Sequence, residues 1–231
     1  MFRNALIAAG FAMSSSAALA QNTTTYDVTI TNLTPGQTFT PQMVLTHTAD
    51  FRMFEIGQPA SIGLEELAEG GNPSSLIDEA ANDSIDAQVA GDLLGPGETV
   101  TVQVQGRRGR NAYLSVAAML IPTNDTFMAL SALPLPNNGV VEVMVPAYDS
   151  GTEANDQNCA NMPGPRCDGE GANLTLNGDE EGFVHIGNGF HELGDQDEQG
   201  NEILGPRVYD WRGPVARVIV KPSRQLLPFA Y

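Results

Sequence analysis

The stretch Thr99-Val-Thr-Val-Gln-Val-Gln105 alternates strictly between polar and apolar side chains. This alternation predicts a half-buried β-strand whose three valines point inward. Tyr26-Asp-Val-Thr-Ile-Thr-Asn32 follows the same pattern, and the more continuously apolar run from Tyr113 to Ile121 is typical of a central strand. Several such strands, joined by turns such as Gly95-Pro-Gly97, indicate an all-β sandwich rather than an α/β fold.

Two short helical segments interrupt the strands. Ser61 to Glu69 carries an apolar stripe, has Ser61 as a candidate N-cap and is followed by Gly70-Gly71, which favours a helix end there. We predict the second helix over Ser74 to Ala81. We expect both to lie in an insertion between strands.

Residues 1–20 have the features of a secretory signal peptide. Arg3 is their only charged residue, an apolar run follows it, and Ala18-Leu-Ala20 forms an A-x-A cleavage site. The apolar run is too short for a permanent membrane span, and no other segment is long and apolar enough to provide one. The short, alanine-rich form is typical of bacteria, so we expect a bacterial protein that is secreted, periplasmic or on the cell surface.

The rest of the chain is expected to form a single domain over residues 26–222. A disordered leader, residues 21–25, would precede the domain, and a C-terminal tail, residues 223–231, would follow it. About 210 residues are within reach of one β-rich domain.

Acidic residues dominate the charge. The chain has 28 acidic and 11 basic residues other than histidine, for a net charge of −17. The segment from Asp149 to Glu202 contains thirteen acidic residues and one basic residue, Arg166. This balance argues against a nucleic-acid partner, because affinity for nucleic acid rests on basic residues. An acidic surface that keeps an exported protein soluble explains most of the charge, but not the placement of acids at a strand end.

That placement occurs in Ala147-Tyr-Asp-Ser-Gly-Thr-Glu153, where Asp149 and Glu153 flank a glycine turn after an apolar strand. Asp125 follows another apolar run. Carboxylates gathered at strand ends form an oxygen-rich pocket that suits a hard cation, and outside the cell that cation is usually Ca²⁺. Mg²⁺ is less favoured because it tends to keep several of its waters. The alternative is that Asp149 only caps a turn and that Glu153 is solvated.

Several segments in order resemble one known family, the spondin domain, which is the N-terminal module of the extracellular-matrix proteins F-spondin and mindin and also occurs in exported bacterial proteins. The matching segments are Tyr26–Asn32, Thr46–Phe51, Gly57–Ser61, Gly63–Gly70, Ser115–Leu130, Tyr148–Glu153 and Trp211–Val220. The resemblance implies an eight-stranded antiparallel β-sandwich, similar to calcium-dependent lipid-binding sandwich domains. It also implies a calcium ion bound by Asp125, Asp149 and Glu153, where the animal proteins have Asp at the third position.

The two cysteines, Cys159 and Cys167, are separated by seven residues. In an oxidising compartment we expect them to form a disulfide that closes this loop. A metal site made from two cysteines alone is disfavoured.

Histidines provide a rival metal site. His185 and His191 lie near Asp195 and Asp197 in the sequence, and a His/His/carboxylate set can hold zinc and activate water. The chain lacks the H-E-x-x-H spacing of the common zinc hydrolases. For His47, a structural hydrogen-bonding role is the simpler interpretation.

These observations predict an exported, calcium-binding adhesion or matrix-type recognition module that does no catalysis. Its expected partner is an extracellular ligand, either a glycan, a lipid or a protein. Two alternatives stay open: a zinc-dependent hydrolase that uses the His185/His191 region, and a purely structural subunit of an envelope or matrix.

Overall fold

The computed structural model describes residues 23–107, 112–156, 158–164, 167, 178–190 and 203–223. Within these ranges the strands are β1 (Thr23–Asn32), β2 (Thr38–Phe39), β3 (Met43–His47), β4 (Ser84–Val89), β5 (Thr99–Arg107), β6 (Tyr113–Ile121), β7 (Thr126–Pro134), β8 (Val141–Val145), β9 (Ala147–Asp149), β10 (His185–Ile186) and β11 (Ala216–Pro222). The helices are α1 (Ile62–Gly70), α2 (Ser74–Glu79) and α3 (Pro206–Tyr209), and Cys159–Asn161 forms a 3₁₀ turn.

The strands form two antiparallel sheets. The first has the order β5-β1-β11-β8, and the second has the order β10-β9-β7-β6-β3-β4 with β2 paired to β6. Both sheets contribute to one buried core, in which Val28 and Val218 of the first sheet belong to the same cluster as Val116 and Met128 of the second. The predicted all-β sandwich is confirmed. It has eleven strands in the described ranges rather than eight, because several short strands extend the second sheet.

The two segments with alternating polar and apolar residues form the paired strands β1 and β5. Tyr26, Val28 and Ile30 are fully buried, as predicted, because they face the second sheet. However, β1 begins at Thr23, and its first three residues pair with the end of β5. Those residues therefore belong to the sheet and not to the disordered leader that we expected up to residue 25.

The continuous apolar run of β6 has a structural reason, since both faces of this strand are covered. Leu114 and Val116 belong to the core between the sheets, whereas Ala117 belongs to a second apolar cluster beneath the helices. A strand buried on both faces needs no polar positions, so its sequence loses the alternation that β5 keeps.

The helices close this second cluster. Ser61 is the N-cap of α1, with its hydroxyl accepting a hydrogen bond from the backbone N–H of Leu64, and Gly71 ends the helix in the left-handed conformation at φ 67°. The predicted stripe of Leu64, Leu67 and Ala68 is buried. The same helix face carries a buried carboxylate, that of Glu69, close to its C-terminal end.

The register of the second sheet brings three chemically important positions together. Thr126, the first residue of β7, pairs with Asp149, the last residue of β9, and Asp149 pairs in turn with His185 at the start of β10. Asp125 immediately precedes β7. Asp125, Asp149 and His185 therefore meet at one end of three adjacent strands.

Candidate functional site

Asp125 is the most deeply buried acid of this strand-end cluster, with no exposed surface. Its Oδ2 atom accepts hydrogen bonds from the Ser150 hydroxyl at 2.9 Å and from the backbone N–H groups of Thr152 and Glu153 at 2.8 and 3.1 Å. Its Oδ1 atom is buried and has no hydrogen-bond partner among the described residues. Burial raises the pKa of the Asp125 carboxyl, although these hydrogen bonds act in the opposite direction.

Asp149 lies beside Asp125 and is also buried. Its Oδ1 atom accepts a hydrogen bond from the N–H of Gly151 at 2.8 Å, and its Oδ2 atom accepts one from Asn155 Nδ2 at 3.0 Å. Burial, followed by the charge of Asp125, raises the pKa of Asp149 to about 7. Ionising both carboxylates therefore costs free energy unless a cation compensates for their charges.

Glu153 faces a second group of acids. Its pKa is raised to about 8, first by burial and then by the charges of Glu69, Asp125, Asp156 and Glu65, in decreasing order. Asp125 thus interacts electrostatically with both Asp149 and Glu153. The fold has brought the three acids predicted from the sequence to one end of the sandwich.

The turn between Asp149 and Glu153 is built around Gly151. This residue has φ +65°, and a Cβ atom there would collide with the backbone carbonyl oxygen of Phe183. Thr152 braces the turn through a 2.7 Å hydrogen bond between its hydroxyl and that of Ser150. The positive φ and this close approach explain why glycine is needed here. The turn also holds the backbone N–H groups of Thr152 and Glu153 against Asp125.

Asp149 also belongs to a group that the sequence did not predict. Single ligand atoms of Asp149, Glu181 and His185 lie within 4.8 Å of one another. His185 Nε2 is 3.3 Å from Asp149 Oδ1 and 3.9 Å from Glu181 Oε2. Glu181 was one of thirteen acids in this part of the chain, and no spacing in the sequence singles it out.

His185 is the described member of the predicted histidine site, whereas His191, Asp195 and Asp197 lie outside the described residues. His47 is fully buried, with its Nδ1 atom 2.7 Å from the Thr48 carbonyl oxygen and its Nε2 atom 2.8 Å from the Ser115 hydroxyl. A histidine and serine pair without solvent access cannot meet a substrate. The structural role expected for His47 is therefore the one it has.

The expected disulfide between Cys159 and Cys167 is present, with a Cα–Cα distance of 4.9 Å. It closes a loop that follows the acidic turn, and Cys167 is buried at the edge of the main core. Asp156 lies between this loop and the acid cluster, where its Oδ1 atom accepts a hydrogen bond from Asn124 Nδ2 at 3.2 Å. The disulfide therefore restrains the chain next to the cluster.

The donor set at this end of the sandwich fits a hard cation. It offers carboxylate oxygens from several strands and turns, and one of them, Asp125 Oδ1, is buried without a hydrogen-bond partner among the described residues. Ca²⁺ is bound by six to eight oxygens at about 2.3–2.6 Å, which carboxylates, backbone carbonyls and water can supply together.

Over the described ranges, the helices are all too short or too polar to cross a membrane. The signal peptide and most of the C-terminal tail predicted from the sequence lie outside those ranges. Ser223, which we assigned to the tail, donates a hydrogen bond from its backbone N–H to the Thr25 carbonyl oxygen at 2.8 Å, so the ordered domain includes it.

Comparison with the curated proteins found no match. A family model does match: Spondin_N, over residues 22–159, which is more than half of the chain. The matched range includes Asp125, Asp149 and Glu153, whereas Glu181, His185 and the segment Trp211–Val220 lie beyond it. The sandwich, the strand-end acids and this match lead to one conclusion: the chain belongs to the Spondin_N family.

Proposed function

We propose that this protein is a calcium-dependent recognition module of the adhesion or matrix type. Calcium would be held by Asp125, Asp149 and Glu153 at the end of the sandwich. Membership of the Spondin_N family supports a matrix or adhesion-type module in general, and an extracellular setting agrees with the disulfide. The proposal includes no catalytic step, and the spondin domain is not a known enzyme family.

The observation that carries the proposal is the buried carboxylate of Asp125. A fully buried anion is costly when one of its oxygens has no hydrogen-bond partner, as is the case for Asp125 Oδ1 among the described residues. Asp125 also lies beside Asp149, whose own pKa is raised to about 7. A divalent cation between these groups would compensate for both charges. The backbone N–H groups of Thr152 and Glu153 already occupy Asp125 Oδ2, which leaves Oδ1 to serve as the ligand.

Thermal unfolding of chelator-treated protein tests calcium binding. With calcium at about 100 times its dissociation constant we expect about 2.7 kcal/mol of added stability, which in a domain of this size is a rise of roughly 5–11 °C in Tm. Magnesium should produce a smaller rise, because it retains its waters. An equal response to the two ions would contradict the assignment of calcium.

A variant at Asp125 localises the effect. Asp125→Asn keeps the side-chain size and one acceptor oxygen, but replaces the other oxygen with an N–H₂ group that cannot bind a cation. We expect it to lose the calcium-dependent rise in Tm. The control is Asp50→Asn, which removes the same charge from an exposed position. A full calcium response in Asp125→Asn would remove this site from the proposal.

Recognition is tested separately by retention of the protein on acidic glycans or on anionic lipid vesicles, with calcium and with chelator. We expect retention in calcium only. If calcium stabilises the fold but retention is calcium-independent or absent, the alternative of a purely structural subunit is favoured instead.

A further inference from the structure

One ring nitrogen of His185, Nε2, lies close to two carboxylates. Its Nδ1 atom is 3.0 Å from the backbone carbonyl oxygen of Ile186. A carbonyl oxygen can only accept, so Nδ1 carries the hydrogen, and in the neutral ring Nε2 has a lone pair that can bind a metal ion. That Nε2 atom is buried and makes no hydrogen bond to any described residue, although Asp149 Oδ1 is 3.3 Å away.

Three ligand atoms converge at this point. They are His185 Nε2, Asp149 Oδ1 and Glu181 Oε2, and the distances from the nitrogen to the two oxygens are 3.3 and 3.9 Å. Tetrahedral zinc with bonds of about 2.0–2.1 Å separates its ligands by roughly 3.3 Å. Three electron-rich atoms this close together repel one another unless a bound proton or a metal cation lies between them.

The remaining atoms of these side chains are held by other groups. Asn155 Nδ2 is 3.0 Å from both Asp149 Oδ2 and Glu181 Oε1, so a single amide orients two carboxylates. The Ile186 carbonyl orients the imidazole ring, and β-pairing of His185 with Asp149 sets the backbone positions. Outer partners of this kind orient the ligands of protein metal sites.

We infer that His185, Glu181 and Asp149 form a binding site for a transition-metal ion of the Zn²⁺ class, adjacent to the proposed calcium site and sharing Asp149 with it. Imidazole nitrogen is a good ligand for zinc and its neighbours, whereas Ca²⁺ takes oxygen ligands. The Glu181 side chain is 34% exposed and that of His185 18%, so an ion can enter from solvent and keep water as a further ligand.

The zinc site can be tested apart from the proposed calcium site, because two of its three ligands, His185 and Glu181, lie outside the proposed calcium triad. It differs from the histidine site considered in the sequence, since it needs neither His191 nor the acids near it. It requires no catalytic role for the ion.

Zinc titration of untagged, metal-stripped protein tests the inference, with Zn²⁺ followed by calorimetry and Co²⁺ by its visible absorption. We expect one tight equivalent in the wild type. His185→Gln and Glu181→Gln should each weaken binding at least about tenfold, since losing even an outer partner costs 10- to 100-fold. Glu180→Gln, which removes the same charge from the neighbouring residue, should bind as the wild type does.

Zinc binding to His185→Gln as tight as to the wild type would overturn the inference, as would the absence of tight binding in the wild type. Thermal unfolding of His185→Gln in chelator shows whether the variant is folded, and its calcium response should stay intact. Asp125→Asn should have the converse behaviour, losing the calcium response and keeping zinc. If calcium stabilises neither protein while zinc binding persists, the proposed function fails and the zinc site stands.

Discussion

Raising the pH in the presence of a chelator should destabilise the metal-free protein, and Asp149 should account for a measurable part of the loss. The pKa of this carboxyl is about 7 in the fold, against an ordinary value of 3.8, because it is buried next to Asp125. A folded-state pKa above the unfolded one means that the folded protein holds a proton that the unfolded chain has already released. The resulting stability is fully present below about pH 4 and is lost as the pH rises through about 7.

The size of this effect follows from the pKa difference. Between about pH 5 and pH 7 each pH unit costs about 1.4 kcal/mol, so Asp149 contributes a loss of roughly 2–3 kcal/mol from about pH 5 to pH 8. In a domain of this size, that loss corresponds to a fall of roughly 5–10 °C in Tm. Glu153 acts in the same direction, since its pKa is about 8.

Calorimetric melting across this pH range, in wild type and Asp149→Asn, isolates the contribution of one group. The other acids also repel one another more as the pH rises, but they do so in both proteins. We expect the variant to lose about 2–3 kcal/mol less than the wild type from about pH 5 to pH 8. The control Asp50→Asn should follow the wild type, because Asp50 is exposed. Identical pH profiles for wild type and Asp149→Asn would refute this account of the cluster.

Two further predictions concern the scaffold around the acids. A non-glycine residue in the left-handed conformation costs about 1–2 kcal/mol. Gly151→Ala should lower the free energy of unfolding in urea by more than this, because the added Cβ also meets the Phe183 carbonyl oxygen. Gly139→Ala is the matched control, with φ +77° and nothing within 4 Å of the added Cβ, and an equal loss in both variants would contradict the contact. Replacing both Cys159 and Cys167 with serine should lower the free energy of unfolding by about 2–3 kcal/mol for a loop this short. A thiol reductant should destabilise the wild type and leave the double variant unchanged. Equal stability of the double variant and the wild type would contradict a stabilising role for the disulfide.

Local patterns predicted much of the fold. β1 and β5 could be predicted from alternating polar and apolar residues because each strand buries one face only. The N-cap at Ser61 could be predicted because it depends only on neighbouring residues in the chain. The short strands β4 and β10 are not among the strands predicted from the sequence. Ser84–Val89 of β4 does alternate between polar and apolar residues, whereas the two residues of β10 are too few to show a pattern. Both strands form because longer strands already offer an edge for pairing.

The candidate site was predicted in part. Asp149 and Glu153 could be found because they flank a glycine turn after an apolar strand, and Asp125 could be found because it follows another apolar run. The family resemblance then implied that the three acids bind one calcium ion. Glu69 and Glu181 could not be found, because one lies on a helix and the other in a run of acids. Their proximity to the cluster depends on packing of α1 and on the position of β10.

The sequence by itself determined the class of the fold, the pairing of the two cysteines and the acidic turn, since alternation, cysteine count and turn residues are properties of neighbouring positions. Only the tertiary structure decided which charges face one another. Pairing of Asp149 with both Thr126 and His185 is a matter of strand register, and electrostatic interaction falls off with distance in space rather than along the chain. For that reason the sequence predicts carboxylates at a strand end, whereas the position of His185 beside Asp149 is known only from the fold.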